Sequence, residues 1–151
     1  MEELMNYCNN YFYNFREYGK YIINNKSIKI KGKYIKGQYI KIVGSILNDG
    51  VYKVDGYING FITIEGLEDE VFEGYICSLS VPKNFIKLSE EINQFKETDK
   101  PSSYTSESFG NYSYSKATNK NGIPLRWTDV FMSEIKQYRK IYDDFRRVEV
   151  I

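Results

Sequence analysis

The densest group of side chains able to do chemistry is the acidic run EGLEDEVFEG, which carries Glu65, Glu68, Asp69, Glu70 and Glu73. Clustered carboxylates can hold a cation, but a calcium loop places its ligands on alternate positions around a central glycine, and this run does not. It reads instead as a solvated acidic edge. The sequence contains no histidine. That removes the usual base near neutral pH, the commonest imidazole metal ligand and every serine or cysteine nucleophile that histidine activates. Cys8 and Cys77 are far apart and sit in apolar segments, so they read as reduced, buried thiols rather than a bridge or a metal pair. The run KGKYIKG lacks the spacing and the following Ser or Thr of a phosphate-binding loop. No catalytic residue, metal ligand or cofactor-binding residue emerges, and an enzyme is not expected.

Binding chemistry is better represented. From Lys20 to Lys41 there are seven lysines and no acid, with Lys26, Lys29, Lys31, Lys33 and Lys36 at the centre of the run. From Asp49 to Glu73 there are seven acids and one lysine, Lys53. The net charge of +1 therefore conceals a polarised chain. Two arrangements suit it equally: the basic edge of one subunit meets the acidic edge of the next in a head-to-tail ring, or both strands pair across one sheet face of a single subunit. The basic stretch, with Tyr21, Tyr34 and Tyr39 as stacking surfaces, also allows a passage for nucleic acid.

A second binding candidate is the tract PSSYTSESFGNYSYSKATNKNG over 101–122. Its Ser, Thr, Asn and Gly content opposes regular structure, yet Tyr104, Phe109, Tyr112 and Tyr114, with Trp127 just beyond, supply anchors that a plain linker does not need. It reads as an extended arm laid over a partner, or as a loop folded back on its own domain.

The elements that must position these groups make an α+β fold. At 151 residues the chain is one domain with enough buried surface to dispense with staples. No apolar run approaches the length of a membrane helix, and MEELMNYCNN has acids where a secretory signal carries bases, so a cytoplasmic product is expected. Leu4, Cys8, Tyr11, Phe12 and Phe15 fall on one stripe of a helix over about 2–16, with Gly19 as its stop. The period then becomes two: Ile28 and Ile30; Tyr39 to Val43; Val51 to Val54; Phe61 to Ile64; and Tyr75 to Ser80. Asn48-Asp49-Gly50 and Asn59-Gly60 close turns between antiparallel strands, giving a small sheet or partly closed barrel. Phe85, Leu88, Ile92 and Phe95 define a central helix over 82–97. A final helix, capped by Thr128, carries Val130, Phe131, Ile135, Tyr138, Tyr142 and Phe145. The organisation is thus a core over 1–100, the arm over 101–124 and a C-terminal helix over 125–151 that packs on the core.

The order GQYIKIVGSILNDGVYKV, VPKNFIKLSEEI, the Tyr/Ser tract and a tryptophan-led helix ending in YRK resembles the head-tail connector, or head-completion, proteins of tailed phages and prophages of Gram-positive bacteria. The resemblance covers about residues 37–141. It implies a structural virion neck protein with no catalytic residues and no cofactor. Its partners would be copies of itself in a dodecameric ring, the portal protein, and the next neck or tail-terminator protein. Contact with packaged DNA would be non-specific, and no membrane is involved. The location implied is the virion neck, between capsid and tail, after synthesis in the host cytoplasm. The helices favour the portal-proximal adaptor layer, whereas the β-rich middle suits the stopper. A DNA-binding accessory protein is the reading from a different class.

Overall fold

Asn9 decides where the first helix ends. In a computed structural model, which describes residues 1–98, 125–151 and two short strands between them, α1 covers only Glu2–Cys8. Asn9 adopts φ 52°, ψ 40°, a left-handed conformation that asparagine tolerates, and its N–H returns to the Asn6 carbonyl while that of Asn10 returns to Met5. The helix expected over 2–16 is therefore half as long. Tyr13–Asn24 form a strand instead, β1, and Gly19 lies in its interior rather than at a helix stop. The strand signal was masked because Glu17 and Gly19 interrupt the apolar alternation of Phe15, Tyr21 and Ile23.

The remaining strands are β2 (Ser27–Lys29), β3 (Tyr39–Val43), β4 (Gly50–Lys53), β5 (Gly56–Ile58), β6 (Phe61–Thr63) and β7 (Glu70–Leu79). They form one seven-stranded sheet in the order β4-β3-β7-β1-β2-β6-β5, every registered pair antiparallel, curled into a half-barrel. The α+β class expected from the sequence is what the chain adopts. Asn59-Gly60 closes the β5–β6 hairpin with both residues at positive φ, and Asn25-Lys26, which the sequence reading passed over, does the same between β1 and β2. Asn48 and Asp49 lie in the loop that joins β3 to β4, and Gly50 opens β4 opposite Ile42.

The long β1 and β7 form the spine, and each face of the sheet has its own core. The concave face buries Tyr21, Ile23, Ile28, Ile40, Ile42, Ile62 and Ile76 among others. On the convex face, among the described residues, only the end carrying Cys77 and Leu79 is covered: α1 supplies Leu4, Met5 and Cys8, and α2 (Lys83–Thr98) supplies Phe85, Leu88, Ile92 and Phe95. Cys8 and Cys77 are both free and buried, and burial pushes their thiols up to about 11 and about 12.

The C-terminal region is not one helix. It divides into α3 (Trp127–Val130), α4 (Met132–Lys136) and a 3-10 turn, Phe145–Arg147. Arg126 rather than Thr128 precedes the first turn, its N–H donating to Asp129. The break falls at Phe131, whose φ of −102° and ψ of 17° leave the helical region while its buried ring meets Phe95 edge-on. Tyr142, expected on the buried stripe, is exposed. The chain then folds back over the α1–β1 junction: Lys140 N–H donates to the Cys8 carbonyl, and Glu149 and Ile151 bond the main chain of Arg16. The C-terminal segment thus packs on the core, but as short turns.

Within the tract, Ser106–Phe109 (β8) and Tyr112–Ser115 (β9) pair antiparallel as a separate hairpin, with Phe109 opposite Tyr112. The expected extended arm therefore contains a ladder.

Candidate functional site

The chemically most unusual group is one the sequence reading did not single out. Glu17 lies on the concave side of β1 and is fully buried. Its Oε1 accepts from the Tyr21 hydroxyl at 3.0 Å and the Lys31 N–H at 2.9 Å; its Oε2 accepts from the Gly32 N–H at 2.7 Å and the Tyr34 hydroxyl at 3.1 Å. A Cβ on Gly32 would lie 3.0 Å from Glu17 Oε2 and 3.0 Å from the Phe15 ring, so glycine is what lets that amide approach. Burial first, and then the Glu17 charge, pushes the hydroxyls of Tyr21 and Tyr34 far above their ordinary range, which keeps both as donors. Two donors per oxygen compensate the buried charge and tie β1 to the 31–34 loop. The signal available in the sequence was an acid at an inward position of an alternating strand, visible only once β1 is read as a strand.

The acidic residues are mostly engaged inside the subunit. Glu65 pairs with Lys26 at 2.5 Å, Asp69 accepts the Asn25 N–H at 2.9 Å, and Glu73 accepts the Tyr18 hydroxyl. Glu68 takes part through its main chain, its N–H donating to Asn48 Oδ1. The Glu70 carboxylate organises the β3–β4 loop: it accepts from the Ser45 hydroxyl, from Asn48 Nδ2 at 2.9 Å, and from the N–H groups of Ile46 at 2.9 Å and Leu47 at 3.3 Å. The Ser45 hydroxyl, joined by Asn48 and the loop amides, holds the Glu70 carboxyl below its ordinary value against a desolvation that works the other way. That loop displays Ile46, 92% exposed.

Of the expected basic group, Lys29, Lys31, Lys33 and Lys36 are exposed, and Lys31 Nζ donates to the Tyr18 carbonyl at 2.6 Å. Tyr21 and Tyr34 are buried and present no stacking surface, leaving Tyr39, which is half-buried. Lys41, at the end of the lysine run, stands over the Tyr11 ring 3.5 Å from its centroid and bonds the Tyr13 hydroxyl at 3.0 Å; its ammonium is lowered by burial. Of the arm residues, Tyr104 lies outside the described residues, and Phe109, Tyr112 and Tyr114 belong to the β8–β9 hairpin. Trp127 is occupied within the subunit, edge-on to Tyr7 at 5.3 Å and beneath Lys96 at 5.0 Å.

The uncovered end of the convex face is where unspent apolar surface collects. Residues directly opposite in neighbouring strands share a face. Ile22 opposes Val71, Lys29 opposes Phe61 and Phe61 opposes Ile58. Continuing the Ile23–Ile28 register places Lys29 across from Ile22. The result is one row over five strands, Val71-Ile22-Lys29-Phe61-Ile58, with exposures of 58%, 62%, 44% and 73% for Val71, Ile22, Phe61 and Ile58. Lys20 and Glu73 oppose one another in the next row.

Among the described residues no cluster of three or more His, Cys, Asp or Glu is placed to hold a metal ion, and no helix is long and apolar enough to cross a membrane. No protein family matches the chain, and neither a curated protein nor a solved structure shows significant similarity to it.

Proposed function

We propose that this chain is an assembly subunit whose work is done at protein–protein interfaces, and that its place is the neck of a tailed phage or prophage, as a head-tail connector that joins portal to tail. The observation that carries the interface part is the bare row Val71-Ile22-Lys29-Phe61-Ile58, four exposed apolar residues with one lysine among them. Soluble monomers seldom gather exposed apolar residues in one row across a sheet, and such patches, rimmed or crossed by charge, mark surfaces that a partner covers. The pinned loop that displays Ile46 offers a second contact of the same kind, and the β8–β9 ladder, whose β8 strand lies near α2, carries the aromatic residues of the expected arm. The neck assignment rests on the resemblance of residues 37–141 to connector proteins. Within the neck, the seven-stranded sheet and short helices support the stopper layer as the second reading. The lysines support the DNA-binding alternative less well, because Lys26 is paired with Glu65 and two of the three candidate stacking tyrosines are buried.

The test is solution mass by light scattering coupled to gel filtration, for the protein alone and mixed with the portal of the same phage. A ring, or a stable portal complex, is the expected result. A monomer that stays monomeric and ignores portal overturns the connector reading.

A further inference from the structure

The sheet is open along one side of β1. The β1–β2 hairpin registers only Asn24 with Ser27 and Ile23 with Ile28. Beyond that point β2 stays with β6, while β1 runs on against β7. Hydrogen-bond direction alternates along an antiparallel strand. Asn24 bonds toward β2, and at the other end Arg16, of the same parity, turns its N–H to Glu149 and its carbonyl to Ile151. Tyr18, Lys20 and Ile22 share that parity and so direct their peptide groups along this edge, although the Ile23–Ile28 bridge engages the Ile22 carbonyl with the Lys29 N–H and leaves only the N–H of Ile22 open. The Tyr18 carbonyl is met by Lys31 Nζ at 2.6 Å. The N–H and C=O of Lys20 have no backbone partner among the described residues.

Beside this edge lies a groove of about 640 Å³. Tyr21 and Ile30 line it from the core, Ile22 and Phe61 from the convex surface, and Lys20, Lys29 and Lys31 surround it; among the described residues no acid lines it. Gly19 belongs to the wall, and a Cβ there would come within 3.5 Å of Lys31 Nζ. The same edge already takes an extended segment at its other end, where Val150 bridges Arg16 in parallel.

We propose that this groove receives an extended acidic–apolar peptide segment of a partner protein, which adds to the β1 edge as a strand. The open groups lie on Lys20 and Ile22, about 7 Å apart along the strand, so a short extended segment of two or three residues meets them. Main-chain bonds to the N–H and C=O of Lys20 and to the N–H of Ile22 supply the attachment, and side-chain alternation supplies the selectivity. Residues pointing inward lie over Tyr21 and Ile30, and those pointing outward set carboxylates against Lys20, Lys29 and Lys31. The lysines thereby do two things: they discourage unspecific edge pairing, and they admit a strand of opposite charge. This site does not depend on the connector reading.

The experiment is fluorescence anisotropy on the full chain with three labelled peptides of equal length. One alternates Glu and Val, one alternates Lys and Val, and one is the Glu/Val peptide with alternate amides N-methylated. The Glu/Val peptide is expected to bind, at least about tenfold tighter than either of the others. Lys20→Glu with Lys29→Glu is expected to weaken it by about tenfold or more while the melting temperature stays within a few degrees; Ile22→Ser gives an independent check in which charge is untouched. Absence of Glu/Val binding overturns the proposal and leaves the lysines as guards of a bare edge. Binding that survives N-methylation also overturns it, because charge attraction without strand addition is then sufficient.

Discussion

The two ends of the convex sheet face are built from the same strands and from similar side chains, yet only one is covered. At the end of β7 that carries Cys77 and Leu79, the face is sealed by α1, α2 and Phe131 into a core. Two rows beyond Tyr75, at Val71 and Ile22, apolar residues of the same strand pair stand in solvent. Lys20 and Glu73 mark the boundary between them. Composition does not separate the two ends. What separates them is how far the helices reach: α2 has 16 residues and packs by its Phe85-Leu88-Ile92-Phe95 stripe, so it covers one end of the spine and leaves the other bare. The lesson is that an apolar strand position becomes core or interface according to which element arrives above it, within the subunit or from a neighbour.

Substitutions can break this contrast. The largest effect is expected at the covered end, where Phe85 meets Phe12 at 4.7 Å and Tyr138 at 5.0 Å between ring centroids and is fully buried. Phe85→Ala should cost about 3–5 kcal/mol of folding stability in a urea titration. A loss near zero would show that the helix end is not a packed core. Next comes the buried tie on the concave face: Glu17→Gln sets an amide against donors from Tyr21, Lys31, Gly32 and Tyr34 and should cost about 1–3 kcal/mol, because one of those buried donors must go unpaired. Unchanged urea midpoints would mean that the 31–34 loop is held by something other than the carboxylate. The smallest stability effect is expected at Ile22→Ser, within about 0.5 kcal/mol, as for other exposed sites away from special features. The same variant should reduce the mass of any ring or portal complex measured by light scattering. If Ile22→Ser instead destabilises the monomer as Phe85→Ala does, the bare row belongs to the fold and the comparison fails.

Much of the fold was legible before any coordinates. The strands around Ile28, Tyr39–Val43, Val51–Val54 and Phe61–Ile64 and the central helix stripe appear where periodicity places them, because each is a local pattern with one face buried; Asn59-Gly60 is a turn as expected but joins β6 to β5, a three-residue strand opening on Gly56 that is too short to show an alternation. The expected first helix is too long because its apolar spacing continues smoothly into β1, and two residues at positive φ, Asn9 and Phe12, make the break. The final helix was overextended because Phe131 leaves the helical region to fill a place against Phe95, a tertiary demand that spacing does not record. At the candidate site, the acidic and basic runs were visible as residue types, but their partners were not: Glu65 with Lys26, Glu70 with the 45–48 loop and Asp69 with Asn25 are contacts across distant segments.

The sequence by itself determined the class of the protein: an α+β chain without histidine chemistry, with a polarised charge distribution and an aromatic tract, because composition and short-range periodicity are written residue by residue. Only the tertiary structure decided which apolar strand residues lie bare, that Glu17 is buried and fully bonded, and that β1 keeps an open edge. Those properties depend on strand register and on the reach of helices joined to the sheet from far along the chain, and neither quantity is encoded in any single stretch of residues.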